Sequence, residues 1–274
     1  MLKSWIIPHQ EKLNWEWFCA NPNAIPFLEK NQDKINWTFL SRNPNAIPIL
    51  EANPEKINWY KLSCNVNAIH LLEKHPKEIE MYMLCYNTGA IPLLREIIKT
   101  EPDKIHWDIL SGNPNAISLL EENPERIHWE ILSRNPNAIH LLKSNPEKIN
   151  WKWFCYNTSP EAIDILSKVV IENPEKIDWE KLCRNEQAVS ILKNVLETTP
   201  EKIVWYSLAS NLNAIPLLEP NLNNLEKNGW ANLCGNANAI PLLEKAANET
   251  PELIDWMILS ENPAIFDDEH YIIK

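Results

Sequence analysis

Asn123-Pro-Glu-Arg-Ile-His-Trp129-Glu-Ile-Leu-Ser-Arg-Asn135-Pro-Asn-Ala-Ile-His-Leu-Leu142 is the stretch that decides the fold, because it recurs along almost the whole chain. Aligned on tryptophan, equivalent segments start at Trp15, Trp37, Trp59, Trp107, Trp129, Trp151, Trp179, Trp205, Trp230 and Trp256, with Met81 filling the one gap. Six residues after each of these eleven positions stands an asparagine: Asn21, Asn43, Asn65, Asn87, Asn113, Asn135, Asn157, Asn185, Asn211, Asn236 and Asn262. A fixed period of this kind is read as a repeat array before any globular reading is tried.

Each copy reads as two short helices. Asn14, Asn36, Asn58, Asn150, Asp178 and Asp255 precede the heading residue and are good N-caps for the first helix. Within that helix the heading residue and the residues three and four later share one face. The third is always Leu or Phe, as in Phe18, Leu132 and Phe154. The fourth is always small, as in Cys19, Ser133 and Ala209. A second helix is expected after the Asn-Pro-Asn turn, with the second asparagine (Asn23, Asn45, Asn115, Asn137, Asn213) as its N-cap. Pro26, Pro48 and Pro216 then fall in the first turn, where a missing amide costs no hydrogen bond. The gap from the last leucine to the next turn isoleucine is seven at Leu28 to Ile35. It is eleven at Leu94 to Ile105, Leu166 to Ile177, Leu192 to Ile203 and Leu243 to Ile254. Growth by four is growth by about one helical turn.

These readings predict an all-α solenoid of about eleven helix-turn-helix repeats of 22–28 residues. Residues 1–13 form an N-terminal cap, 14–265 a single array and 266–274 a C-terminal tail or cap. Interhelical distances of 8–10 Å would make a straight array roughly 90–110 Å long. A leucine-rich-repeat horseshoe shares the period, but it needs an apolar residue five before the asparagine, where Glu16, Thr38, Asp108, Glu130, Lys152 and Glu180 stand.

The strings Asn-Pro-Asn-Ala-Ile-x-Leu-Leu-Glu and Pro-Glu-Lys-Ile-Asn-Trp-x-x-Leu-Ser resemble the tandem-repeat proteins that mimivirus-like and related giant DNA viruses encode in many copies. The resemblance covers roughly residues 14–265. It departs at Met81, at Gly89 and Gln187 in place of the second asparagine, and at the shortened turn Asn262-Pro263-Ala264. It implies a viral protein in the host cytoplasm, viral factory or virion, and it brings no catalytic or ligand-binding residues with it.

Composition narrows the function classes. The net charge of −11 argues against direct nucleic-acid binding. No apolar run approaches the roughly 20 residues of a membrane span, and the first eight residues are too short and interrupted for a secretory signal, so a protein that is not secreted is expected. Cys19, Cys85, Cys155, Cys183 and Cys234 occupy the small fourth position, with Cys64 one place later, and read as small buried hydrophobes rather than metal ligands. His106 and His128 fall in the N-cap slot, His70 and His140 in the proline slot. The sequons at Asn36, Asn157 and Asn248 carry little weight without a signal segment. Neither a catalytic triad nor a glycine-rich phosphate loop can be picked out, so no catalytic residue, cofactor or metal is expected.

What remains is the face of the first helix opposite its core stripe. It offers Trp17, Arg42, Tyr60, Tyr82, Tyr86, Arg134, Trp153, Tyr156, Arg184 and Tyr206 as a candidate partner-binding face, rich in the residue types favoured at protein interfaces. The residues two after each tryptophan either pack on the neighbouring repeat or form an exposed apolar strip. The eleven repeat asparagines read as structural, a hydrogen-bonded ladder along the array. The function expected is therefore a non-enzymatic scaffold for protein–protein interaction. The alternatives are a minor structural component of a virus particle and a leucine-rich-repeat-like binding protein.

Overall fold

The computed structural model describes residues 1–267, and the rest of the expected C-terminal tail, residues 268–274, lies outside them. The described chain is all helical, with one isolated bridge between Leu2 and Phe266 and no strand, which removes the leucine-rich-repeat reading. Eleven units follow one another. The first ten have a first helix that begins at or near the repeat tryptophan or Met81 (Trp37–Ser41, Trp129–Leu132), a tight turn that is 3-10 in several of them (Pro136–Ala138), a second helix (Ile47–Glu51, Ile139–Ser144) and a 3-10 turn, in most of the Pro-Glu-Lys type (Pro54–Lys56).

The asparagines and aspartates placed before the tryptophan do cap their helices. The side chain of Asn14 accepts from the amides of Glu16 and Trp17, and Asp178 from that of Lys181. The second helix starts later than the sequence suggests. Pro136–Ala138 form a 3-10 turn whose cap is the ladder asparagine Asn135, and the α-helix begins at Ile139. The second asparagine is therefore not a cap, and its amide reaches back to the previous unit. Where the sequence gap grows by four, the second helix lengthens from 4–6 to 10 residues at Ile91–Thr100, Val189–Thr198 and Ile240–Glu249. It reaches 13 at Pro160–Glu172. Asn31, Asn53, Asn123 and Asn145 end second helices by donating to the carbonyl four residues back. No described residue has a positive φ, which is how four glycines suffice for more than twenty turns.

The array is not straight: it closes on itself. Ten of the eleven ladder asparagines send their amide to two carbonyls of the preceding unit, Asn262 sends its own to Cys234, and all accept the amide two residues ahead. Asn135 donates to Ser111 and Asn113 at 3.0 Å each, while its Oδ1 receives the amide of Asn137 at 3.0 Å. The same pattern continues past the end of the chain. Asn21 in the first unit donates to Ser260 at 3.1 Å and to Asn262 at 2.9 Å in the last. The second asparagines form a parallel ladder that closes in the same way, Asn45 to Pro22 and Asn23 to Pro263, both at 2.9 Å. The small fourth residue adds another repeated bond. Ser41 Oγ accepts the amide of Asn58 at 2.9 Å, and Ser260 Oγ accepts that of Asn14 at 2.8 Å.

Residues 1–13 are accordingly not a cap at a free end. The eleventh unit has its first helix, Trp256–Glu261, and its turn, and among the described residues no second helix follows them. The N-terminal segment takes that place. Lys3 donates to Ile265, Asp267 to Met1, and Ile6 is fully buried. Ile6 and Leu13 keep the seven-residue spacing of Leu28 and Ile35. Lys12 lies over Trp256 at 5.3 Å, as Lys34 does over Trp15 at 4.4 Å and Lys56 over Trp37 at 4.7 Å. The last unit is thus assembled from both ends of the chain.

First helices of neighbouring units pack directly on one another around the ring, whereas second helices are bridged by long side chains such as Arg95 to Glu122. The first helices therefore occupy the inner, shorter circumference. Arg42 of the second unit reaches Glu261 of the eleventh at 2.5 Å across the first, a span possible only on a concave surface. The buried core runs between the two layers, from the leucines of the first helix (Leu40, Leu132) to those of the second (Leu50, Leu142). The tryptophans pack at its edge and stay partly exposed, except for buried Trp230, because a turn lysine covers several of them in place of apolar neighbours.

Candidate functional site: the inner face of the ring

Three residues of each first helix look away from the core: those one, two and five after the tryptophan. The first is exposed in most units. The second and fifth are half-buried between neighbours in most units, with exceptions such as exposed Tyr86 and buried Ala20 and Ser207, so the residue two after the tryptophan packs on the next repeat. A Cβ added to Gly112 in the fifth position would meet Ile131 of the following unit at 3.0 Å and the guanidinium of Arg134 at 2.9 Å, which fixes this register.

The candidate face is therefore one continuous band around the lumen. Tyr60, Tyr82, Tyr86 and Tyr206 are its exposed members, at 39–44 %. Trp17, Arg42, Arg134, Trp153, Tyr156 and Arg184 are half-buried between neighbouring helices. Five of the chain's six tyrosines stand on this band. Aromatic rings and cations alternate along it. Trp17 meets Phe39 at 6.0 Å and Arg42 lies over Phe39 at 5.4 Å. Tyr82 touches Tyr86 and His106, with ring centroids 5.5 and 5.3 Å apart. Its hydroxyl lies 3.3 Å from that of Tyr86, and this contact raises the pKa of Tyr86. Trp153 is held between Arg134 at 5.5 Å and Lys181 at 5.4 Å, and its indole donates to Glu130 at 2.8 Å. Arg184 lies over Tyr206 at 5.8 Å.

Charge is distributed unevenly. Six cations (Arg42, Lys61, Arg134, Lys152, Lys181, Arg184) and five carboxylates (Glu16, Asp108, Glu130, Glu180, Glu261) give the band a net +1. The chain totals −11, so the remainder carries −12. The carboxylates are mostly occupied: Glu261 by Arg42, Glu180 by Arg184, Glu130 by Trp153 and Glu16 by Asn36. Arg184 keeps a buried Nε without a partner, and so does the hydroxyl of Ser207, in the position that the register sets against it.

The other residues of interest have architectural surroundings. Cys19, Cys183 and Cys234 accept the amide of the next unit's cap residue through sulfur at 3.3–3.4 Å, replacing the serine hydroxyl of other units. This bond explains why the fourth position is Ser or Cys more often than Ala, and size alone does not reveal it. Burial pushes Cys85, Cys155, Cys183 and Cys234 up to about 11. His70 and His140 lie on the outer layer beside Glu51 and Glu121, each at 2.9 Å. Among the described residues no cluster of three or more His, Cys, Asp or Glu could hold a metal ion, and no helix is long and apolar enough to cross a membrane. Asn36 caps a helix and Asn157 is a buried ladder residue. Grooves open at the outer layer, where the helices are spread. One of about 710 Å³ lies at the seam beside Pro22, Phe27 and Phe266. No family model matches the chain, and neither a curated protein nor a solved structure is found to be similar to it.

Proposed function

We propose that the chain is a non-enzymatic ring scaffold that binds a protein partner through its inner face. The observation that carries this reading is the gathering of Tyr60, Tyr82, Tyr86 and Tyr206 with the Arg42, Arg134 and Arg184 guanidiniums on one band whose side chains the core and the ladders do not need. Tyr, Trp and Arg supply most of the binding energy at protein interfaces. Every unit repeats the same polar groups for architecture, which leaves no isolated constellation of acid, base and nucleophile for a reaction.

Affinity capture from infected cells tests this, with wild-type ring compared against the triple variant Tyr60→Ala, Tyr82→Ala, Tyr206→Ala, all three exposed. Partner recovery should fall at least about tenfold while the melting temperature moves little, since exposed positions away from special features change stability by about 0.5 kcal/mol or less. Recovery unchanged by the triple variant would reject the reading. The repeat strings support a setting in cells infected by a giant DNA virus, in the cytoplasm or viral factory. The same strings support a second reading, a minor structural part of the particle, which quantitative proteomics of purified virions separates from the first.

A further inference from the structure

The geometry points to one acidic polypeptide segment, rather than a folded domain, as the occupant of the lumen, seated against units six to nine. This rests on the proposed inner-face function and names the kind of partner. Eleven helices spaced about 9 Å apart place their axes on a circle roughly 32 Å across. Subtracting one helix diameter of about 10–12 Å leaves an opening of roughly 20 Å. A 100-residue domain, with a radius of gyration of about 13 Å, is too wide for it, whereas a single helix or an extended segment enters.

Charge selects the segment. Among the described residues Lys61, Arg134 and Lys152 of the inner band have no carboxylate within ion-pairing distance, while four of the five inner carboxylates are already held by neighbours. Two of these cations, Arg134 and Lys152, stand in units six and seven. The half-buried Arg184 stands one unit further round, in unit eight, with its guanidinium over Tyr206 of unit nine. An acidic chain lying along this arc meets donors and aromatic faces together, and the acidic outer surface leaves the lumen as its favourable place of contact. Complementary charge of this kind acts chiefly on encounter rate and specificity, and it weakens with salt.

The test is fluorescence anisotropy at about 50 mM salt with three labelled probes: a 20-residue Glu-rich peptide containing one Phe, a Lys-rich peptide of the same length, and a 20-nucleotide oligothymidine. The Glu-rich peptide should bind, lose at least about tenfold in affinity in Arg134→Ala with Lys152→Ala, and be unaffected by Lys143→Ala on the outer layer. No binding of the Glu-rich peptide, equal loss in the outer variant, or tighter binding of the Lys-rich peptide or the oligonucleotide would overturn the inference. If the peptide fails while the triple variant still loses its captured partner, the inner face remains the interface and only the acidic segment is rejected.

Discussion

Removing the side chain of Asn21 distinguishes a closed ring from an open array. Asn21 and Asn135 are both fully buried and make the same three bonds: two donated to carbonyls of the preceding unit and one accepted from the amide two residues on. Alanine at either position strands the amide of the second asparagine and deprives two buried carbonyls of a donor. Asn113 keeps another partner, the amide of Ala116, so its loss is partial. One stranded amide with one or two weakened acceptors costs about 2–3 kcal/mol, since each buried polar group left unpaired costs about 1–3 kcal/mol. At an unfolding entropy of about 2.1 cal/mol/K per residue, this chain of 274 residues would lose roughly 4–5 °C in melting temperature if it unfolds in one transition. Calorimetry on Asn135→Ala and Asn21→Ala should give the same shift. In an open array Asn21 would face solvent at the first unit and its loss would cost close to nothing. A normal shift for Asn135→Ala beside a negligible one for Asn21→Ala would therefore refute the closure.

Deleting residues 1–13 uncovers the eleventh unit and removes Ile6 and Leu13 from the core, so the truncated protein should melt earlier and bind a hydrophobic dye that the intact ring excludes. Trp129→Ala should cost about 2 kcal/mol in urea unfolding, below the 3–5 kcal/mol of a fully buried tryptophan, because its indole is partly exposed under Lys148; a loss above 4 kcal/mol would contradict that placement. Four buried thiols are held up to about 11, above their unfolded value. A raised thiol favours the folded state fully below about pH 9, and that contribution is lost as pH rises through about 11, so urea midpoints should stay flat up to pH 9 and fall beyond it. Under native conditions a thiol reagent should modify half-buried Cys64 before any of the other five cysteines, and prior labelling of Cys155 or Cys183 would count against the packing described.

The period, the two helices and the ladder at Asn135 are legible in the sequence because each is a local pattern that recurs along the array, and the caps at Asn14 and Asp178 because an Asn or Asp stands in that place in six units. The closure is not, since nothing local records the small angle between one unit and the next. Its trace is nevertheless present in residues that look aberrant alone. Gln10-Glu-Lys-Leu-Asn-Trp15 is a turn of the Pro-Glu-Lys-Ile-Asn-Trp type with no Asn-Pro-Asn turn ahead of it, and Asn262-Pro263-Ala264 is a shortened copy of the Asn-Pro-Asn turn. Each is half of one unit. The candidate face was legible in membership but not in placement. Residues such as Arg134 and Tyr206 could be read as turned away from the core, but only the curvature says that they look into a lumen.

That curvature also accounts for the residue choice. Units that turn by one eleventh of a circle must approach closely inside and spread outside, so the inner junctions call for small residues such as Ser41 and Cys19 and the outer ones tolerate Ile25, Phe27 and Ile49 left half-buried. The one- or two-turn first helices cannot hold this arrangement by intrinsic propensity, because helices this short are marginal in water. Side-chain amides set the spacing instead. An asparagine that must reach two carbonyls of the preceding unit at about 3 Å permits one distance between units on the ladder side, and eleven repetitions of that distance leave the first unit in place to receive the last. The ring is therefore closed by the same bond that orders each neighbour, and any variant that alters ladder spacing at one unit should loosen the seam as much as the site of change.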